Sequence, residues 1–264
     1  FDHEAIIHNS HLATLTSNYL HIPGETFFIR VFDELDETNH YTDSLCNNFK
    51  IRFRDFPEEW ELLTTYSKDN NSISVDDYEV LLHIGDYDKY QYQLGRANIT
   101  IAAVEDWEFY IEEYIEQFKA ILKDYYDIYG DVPGDKLLIV FNRNPYTNDI
   151  KYVDGQAKRN NAIIGFSEIN QTDKNYRDEE VLRLFSHESL HLWANCGFNV
   201  VEDWGWFWEG LTDYQSHKTL AKIGYLTNSQ VDNKLIHAYS NYIANNYREE
   251  ISLPKMRIDP KYNQ

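Results

Sequence analysis

The pattern His187-Glu188-Ser189-Leu190-His191 restricts the fold more than any other feature of this sequence. It lies in a segment predicted to be helical from about Arg177 to Cys196, which Gly197 would end. Residues four apart on a helix share one face, so the two imidazoles can bind one cation. Glu188 projects to the neighbouring side and can reach a water on that cation without ligating it. The segment therefore predicts a metal-binding helix with Glu188 as the general base.

A catalytic zinc ion needs three protein ligands and an open position, so a third ligand must come from another segment. Glu209 is the leading candidate, on a helix predicted from about Phe207 to Ile223 that can fold back against the first. Two imidazoles and a carboxylate suit zinc better than magnesium or calcium, which prefer oxygen ligands. Asp213 follows four residues later, on the same face, and is predicted to accept the free N–H of His187. These residues predict one zinc ion, bound by His187, His191 and Glu209.

The remaining patterns predict an α+β fold. Polar turns separate short strand candidates in the first hundred residues, and we predict a mostly β domain over residues 1–104. A change to helical periodicity at Glu105 opens a second, catalytic domain over residues 105–264, with a small sheet and helices. The predicted strands are Thr26–Phe32, Phe49–Phe53, Glu61–Tyr66, Tyr78–His83, Lys89–Leu94, Ile99–Val104, Lys136–Phe141 and Asn161–Ile169, and the other predicted helices are Glu105–Gly130 and Ser229–Tyr247.

Charge and composition argue against several classes of partner. The chain has 44 acidic and 24 basic residues, and its formal charge of −20 repels nucleic-acid phosphates and anionic membrane surfaces. No apolar run reaches the length of a membrane span, and the first residues lack the regions of a signal peptide. The chain begins at Phe1, which fits a processed or trimmed product. An exported protein, periplasmic or extracellular, and a cytoplasmic one both remain open, as does the oligomeric state.

Two motifs together resemble a known group of enzymes. His-Glu-Ser-Leu-His-Leu-Trp at 187–193 and Trp-Phe-Trp-Glu-Gly-Leu-Thr-Asp-Tyr at 206–214 look like the gluzincins, metallopeptidases with an HExxH helix and a downstream Glu ligand. Among them the chain most resembles the glycyl aminopeptidase family, whose members often carry a PDZ domain. The resemblance extends loosely over residues 50–250, through segments at 76–87, 125–133, 136–141 and 218–227. It implies a β domain followed by a thermolysin-like catalytic domain.

The resemblance also implies further site residues. Gluzincin aminopeptidases have a G-x-x-E strand before the HExxH helix, whose Glu binds the free amino terminus of the substrate; Gly165 to Glu168 fit that position. The family also supplies an oxyanion-stabilising Tyr from helices beyond the Glu ligand, but this chain ends 55 residues after Glu209. We therefore expect a truncated chain that lacks this Tyr and any PDZ domain. Tyr239, Tyr242 and Tyr247 are predicted to pack between helices rather than to replace it.

Three functions are compatible with these residues. The expected one is zinc-dependent removal of N-terminal residues from a peptide substrate, with a zinc-bound water activated by Glu188. The second is a zinc endopeptidase with an open cleft, in which Glu168 has no part in binding the substrate. The third is an inactive, zinc-holding binding or scaffold protein. The side chain preferred at the first substrate position is not predicted by the sequence.

Overall fold

A computed structural model of the chain describes several separate ranges of residues. The architecture is α+β, as the sequence predicts, with three sheets and helices in the described ranges. The predicted strand Thr26–Phe32 lies outside them. The described ranges are residues 13–24, 49–54, 57–69, 72–75, 80–104, 111–132, 134–144, 153–167, 174–197 and 205–244.

Two antiparallel sheets are built from the first part of the chain. The strands are β1 (Thr14–Leu15), β2 (Tyr19–Pro23), β3 (Phe49–Arg52), β4 (Glu61–Leu63), β5 (Lys68–Asp69), β6 (Ser72–Val75) and β7 (Leu81–Gly85). Strands β1, β2, β7 and β4 form one sheet in that order, and β3, β6 and β5 form the other. Their apolar side chains share a core that includes Leu62, Ile73 and Ile84. The sequence predicts β3, β4 and β7 approximately but misses β1, β2, β5 and β6, which are too short to show a clear alternating pattern.

A third, five-stranded sheet carries the elements nearest the predicted metal site. The strands are β8 (Tyr87–Leu94), β9 (Ala97–Val104), β10 (Lys136–Asn144), β11 (Val153–Lys158) and β12 (Asn161–Ser167). Their order in the sheet is β11-β12-β10-β9-β8, with parallel pairing of β10 to both β9 and β12 and antiparallel pairing at both ends. The predicted domain boundary after residue 104 falls inside this sheet, because β9 is hydrogen-bonded to β10. The division into two domains remains a prediction.

The described helices lie close to the predicted positions. The helices are α1 (Ile115–Tyr129), α2 (Lys174–Gly197), α3 (Gly205–Lys222) and α4 (Asn228–Ala244). A 3-10 turn at Ile111–Tyr114 precedes α1, while residues 105–110 and 245–247 of the predicted helices lie outside the described ranges. Helix α1 packs against α2, and α2 packs against β11 and β12. No helix in the described ranges combines the length and apolar composition needed to cross a membrane.

A stack of buried aromatic rings joins the sheet to the helices. Phe118 of α1 lies 5.4 Å from Phe141 of β10 and 3.9 Å from Phe185 of α2, measured between ring centroids. All three side chains are fully buried. Burial of each ring contributes roughly 1.5–3 kcal/mol to stability. Because Phe185 precedes the His-Glu-x-x-His pattern by two residues, this stack fixes the helix that carries the pattern against the sheet.

Helix α1 also holds α2 and α3 by polar contacts. The Tyr125 hydroxyl donates to the carbonyl oxygen of Ser186 at 2.9 Å, directly before the first predicted ligand. The neighbouring Asp124 is buried and accepts a hydrogen bond of 2.7 Å from the Thr219 hydroxyl of α3 and an ion-paired one from Lys222. Two consecutive residues of α1 therefore contact both helices that carry the predicted ligands.

Candidate metal centre

Three predicted ligand atoms converge between α2 and α3. His187 Nε2 lies 3.0 Å from His191 Nε2, and Glu209 Oε2 lies 3.1 Å and 3.3 Å from these two nitrogens. Ligand bonds of 2.0–2.1 Å at tetrahedral angles would separate such atoms by about 3.3 Å. The donor set therefore fits a tetrahedral zinc ion closely, with no change of backbone. It is also the one group of at least three His, Cys, Asp or Glu side chains in the described ranges that is arranged to hold a metal ion.

The way α3 packs explains how Glu209 reaches the two imidazoles. Small polar side chains at Thr212, Ser216 and Thr219 are buried along one side of α3, at spacings of four and three residues. Small side chains let helices approach closely, and the Ser216 hydroxyl is satisfied within α3 by the Thr212 carbonyl at 2.7 Å. Glu209 is consequently close to α2 while about half of its side-chain surface, 49%, stays exposed. Solvent thus has access to the ligand set.

Asp213 takes the orienting position predicted for it. His187 Nδ1 donates a hydrogen bond to Asp213 Oδ1 at 2.8 Å, which leaves Nε2 directed at His191 and Glu209 and available to a cation once it loses its proton. Although burial lowers the pKa of His187, hydrogen bonds to Asp213 and Glu209 raise it to about 9. Burial raises the pKa of Asp213, but the bond to His187 outweighs it and the pKa is lowered. In the absence of a cation the site therefore favours a proton on His187.

The two imidazoles likewise hold the pKa of Glu209 well below its usual range, mainly through hydrogen bonds from His187 and His191. Glu209 is consequently a carboxylate at any physiological pH. A cation bound in place of the His187 proton would balance the negative charge of Glu209. The pKa shifts and the distances between the three side chains therefore both favour a bound cation.

Glu188 lies beside this cluster but is set apart from it by burial. Only 6% of its surface is exposed. Burial raises its pKa to about 7, although His187 and His191 act in the opposite direction. A carboxyl group with a pKa near neutrality can accept and return a proton, which is the property that the sequence analysis predicts for a general base.

The structure adds one residue to this site that the sequence analysis missed. Gly155, in the middle of β11, lies directly against the Glu188 side chain: a Cβ there would be 2.5 Å from its Cγ and 2.6 Å from its Cδ. The available signal is a glycine inside a short strand-like segment, which often marks the close approach of another group. The sequence analysis predicts no strand at residues 153–158, so it assigns Gly155 no special role.

Two other predicted features have different outcomes. Gly165 lies on β12, between β11 and β10, and Glu168 lies outside the described ranges. Their proposed contact with a substrate amine remains a prediction. The prediction that Tyr239 and Tyr242 pack between helices is wrong, because 65% and 40% of their surfaces are exposed on α4. Tyr247 lies outside the described ranges.

Comparisons with known proteins give a likeness of fold. A scan against models of protein families finds no match, and a search of curated proteins finds none either. Among solved structures, the chain is similar to an aminopeptidase N family protein from Idiomarina loihiensis, with a TM-score of 0.64 and 14% sequence identity. The alignment covers 84% of this chain but 40% of that one, so the chain spans less than half of that protein's length. The fold is therefore aminopeptidase-like.

Proposed function

We propose that this chain forms the zinc site of a metallopeptidase and that its reaction is hydrolysis of a peptide bond. The observation that carries the proposal is the convergence of His187, His191 and Glu209 within 3.3 Å of one another, next to the buried carboxyl group of Glu188. A zinc ion bound there would polarise the scissile carbonyl and lower the pKa of a coordinated water. His187, His191 and Glu209 would hold the ion, and Asp213 would orient His187 through its Nδ1–H.

Glu188 supplies the proton transfer. Its carboxylate takes a proton from the attacking water and delivers it to the nitrogen of the leaving amine. The pKa of about 7 suits both steps, since the group is a base when it meets the water and an acid after it. Because Glu188 is buried, little bulk water competes for the proton that it carries.

Strand β11 supports a peptide as the substrate. It stands at the end of the five-stranded sheet in the described ranges, and Gly155 at its centre contacts Glu188. An extended peptide can add to such a strand through backbone hydrogen bonds once it displaces Asp154 Oδ1, which accepts from the Gly155 N–H at 2.9 Å. Pairing of this kind would bring its own peptide groups past the carboxylate. This arrangement favours a substrate recognised by its main chain.

Removal of N-terminal residues is the first form of this activity. The aminopeptidase-like fold and the resemblance of the two motifs to the glycyl aminopeptidase family of gluzincins support it. In that case Glu168, which comes three residues after Gly165 in the sequence, would bind the substrate ammonium group. The N-terminal amino acid would then be the released product.

Cleavage within a chain is the second form, in which Glu168 has no part in binding the substrate. The exposure of about half of the Glu209 side chain favours it, because it leaves the ligand set open to solvent, as an open cleft requires.

The Glu188→Gln variant tests the shared chemistry. We expect it to bind one zinc ion per chain, as the parent does, but to lose at least about 100-fold in kcat, the range typical of general acid–base catalysis. Zinc content by atomic absorption and hydrolysis of a peptide library measure the two properties separately. Full activity in the variant would refute the role of Glu188, and zinc without hydrolysis in the parent would favour an inactive zinc-holding protein.

A comparison of free and N-acetylated peptides separates the two forms. Acetylation removes the ammonium charge, so an aminopeptidase loses its substrate while an endopeptidase keeps its rate.

A further inference from the structure

The backbone conformation at residue 155 does not require a glycine. Several other glycines in the described ranges have positive φ, among them Gly95 and Gly224, but Gly155 does not. It sits inside β11, paired with Ile164 of β12, where a glycine ordinarily weakens a strand. The backbone would accept alanine, so the reason for glycine lies in the surrounding space.

Glu188 fills that space. A Cβ on Gly155 would lie within 2.6 Å of three atoms of this side chain, which include Cγ and Cδ as well as a carboxylate oxygen. The contact involves the middle of the side chain, so a small rotation of its end would not relieve it. Glu188 is buried between α2 and β11, and it would have to leave its present position.

We propose that Gly155 is a positioning residue: it makes room for Glu188 and so sets where the base stands relative to the metal ligands. This proposal rests on the hydrolytic function proposed above and adds a residue to it. Placing the base against β11 also fixes its distance from any peptide paired with that strand. A displacement of about 1 Å at such a position can cost on the order of 100-fold in rate.

A double-mutant cycle tests the contact without any assumption about activity. Gly155→Ala is made in the parent and in a Glu188→Ala background, which removes the Cγ, the Cδ and the carboxylate oxygen that a Cβ on residue 155 would meet. We expect the melting temperature of the metal-free protein to fall by roughly 3–8 °C in the parent, as for an overpacked buried site, and by less than half of that in the Glu188→Ala background.

Gly165→Ala is the matched control for this measurement. Gly165 lies on the adjacent strand β12, and a Cβ there would meet the Asp154 carbonyl oxygen at 3.8 Å, an ordinary van der Waals contact. The melting temperature of this variant should stay within about 2 °C of the parent, because alanine fits there without strain.

Turnover and zinc content complete the experiment. Gly155→Ala should keep one zinc ion per chain and lose about 100-fold in kcat with little change in KM. An equal fall in melting temperature on adding Gly155→Ala to the two backgrounds, or unchanged kcat in the parent, would overturn the proposal. If the parent hydrolyses no peptide, the proposed function fails, while the melting-temperature cycle still reports whether Gly155 makes room for Glu188.

Discussion

Two pairs of histidines in this molecule have nearly the same ring separation and very different chemistry. His21 and His83 face each other across β2 and β7 with centroids 4.9 Å apart, and His187 and His191 on α2 have centroids 4.7 Å apart. The first pair is stacked, at 22° between the ring planes, whereas the second meets edge to face at 76°. Only the second arrangement brings its two Nε2 atoms to 3.0 Å and toward a shared carboxylate.

The protonation of the two pairs differs in the same way. Burial, with the help of neighbouring His21, lowers the pKa of His83 well below its usual value, and Asn161 opposes this only in part. His187 is also buried, but Asp213 and Glu209 reverse the effect and raise its pKa to about 9. Two histidines close together are therefore not sufficient for a metal site: the relative orientation of the rings and the carboxylates around them decide it.

The largest expected effect comes from removing one histidine of each pair. His191→Ala should abolish stoichiometric zinc binding, because two ligands remain where a catalytic zinc needs three. His83→Gln should keep one zinc ion per chain, since the stacked pair lies in the four-stranded sheet with β2 and β7. Metal analysis after dialysis measures both. Retention of zinc by the first variant, or its loss from the second, would break the comparison between the pairs.

A smaller effect is expected from the carboxylate that orients His187. Asp213→Asn should weaken zinc affinity by roughly 10–100-fold, because the amide is a poorer partner for the Nδ1–H. Competition with a fluorescent chelator gives the dissociation constant. Asp232→Asn, on the exposed part of α4, is the charge-matched control and should leave the affinity unchanged. Equal losses in the two variants would show that net charge, and not the orienting bond, is responsible.

The smallest expected effect is a difference in the pH dependence of stability in the metal-free protein. His83 stays neutral when folded but binds a proton below about pH 6.5 when unfolded, so it makes the protein less stable as the pH falls, by up to about 1.4 kcal/mol per pH unit. His187 has the opposite sign: its contribution is complete below pH 6.5 and is lost as the pH rises toward its pKa of about 9.

Denaturant unfolding across this pH range separates the two contributions. His83→Gln should flatten the acid side of the profile, and Asp213→Asn should flatten the alkaline side. A profile in which both variants keep the slopes of the parent would show that these histidines do not control stability.

The helices, and the group of side chains that could hold a metal ion, could be predicted from local sequence. The pattern at 187–191 is a helical spacing, so its geometry follows once the segment is a helix, and the positions of α1, α2 and α3 agree with their predicted periodicity. Glu209 and Asp213 were predicted in the same way, because a spacing of four residues places both on one face. Here local rules and tertiary structure agree.

Local sequence was insufficient where the outcome depends on partners far along the chain. Strand β11 has a mixed polar and apolar sequence and owes its structure to pairing with β12, so the contact of Gly155 with Glu188 was missed. The pairing of β9 with β10 across residue 104 was likewise not predicted, because a change of period contains no information about which strands share a sheet. The exposure of Tyr239 and Tyr242 on α4 similarly depends on what packs beside that helix.

The sequence by itself determined which atoms can bind a metal: two imidazoles one helical turn apart, a carboxylate on a second helix and another carboxylate four residues later. The tertiary structure decided whether those atoms meet and where Glu188 lies relative to them. The contacts of α1 with Ser186 and Thr219 and the small side chains of α3 bring the two helices together, and β11 offers Glu188 the space beside Gly155. The reason is physical: spacing along a helix is set by the backbone, whereas distances between elements are set by packing among residues far apart in sequence.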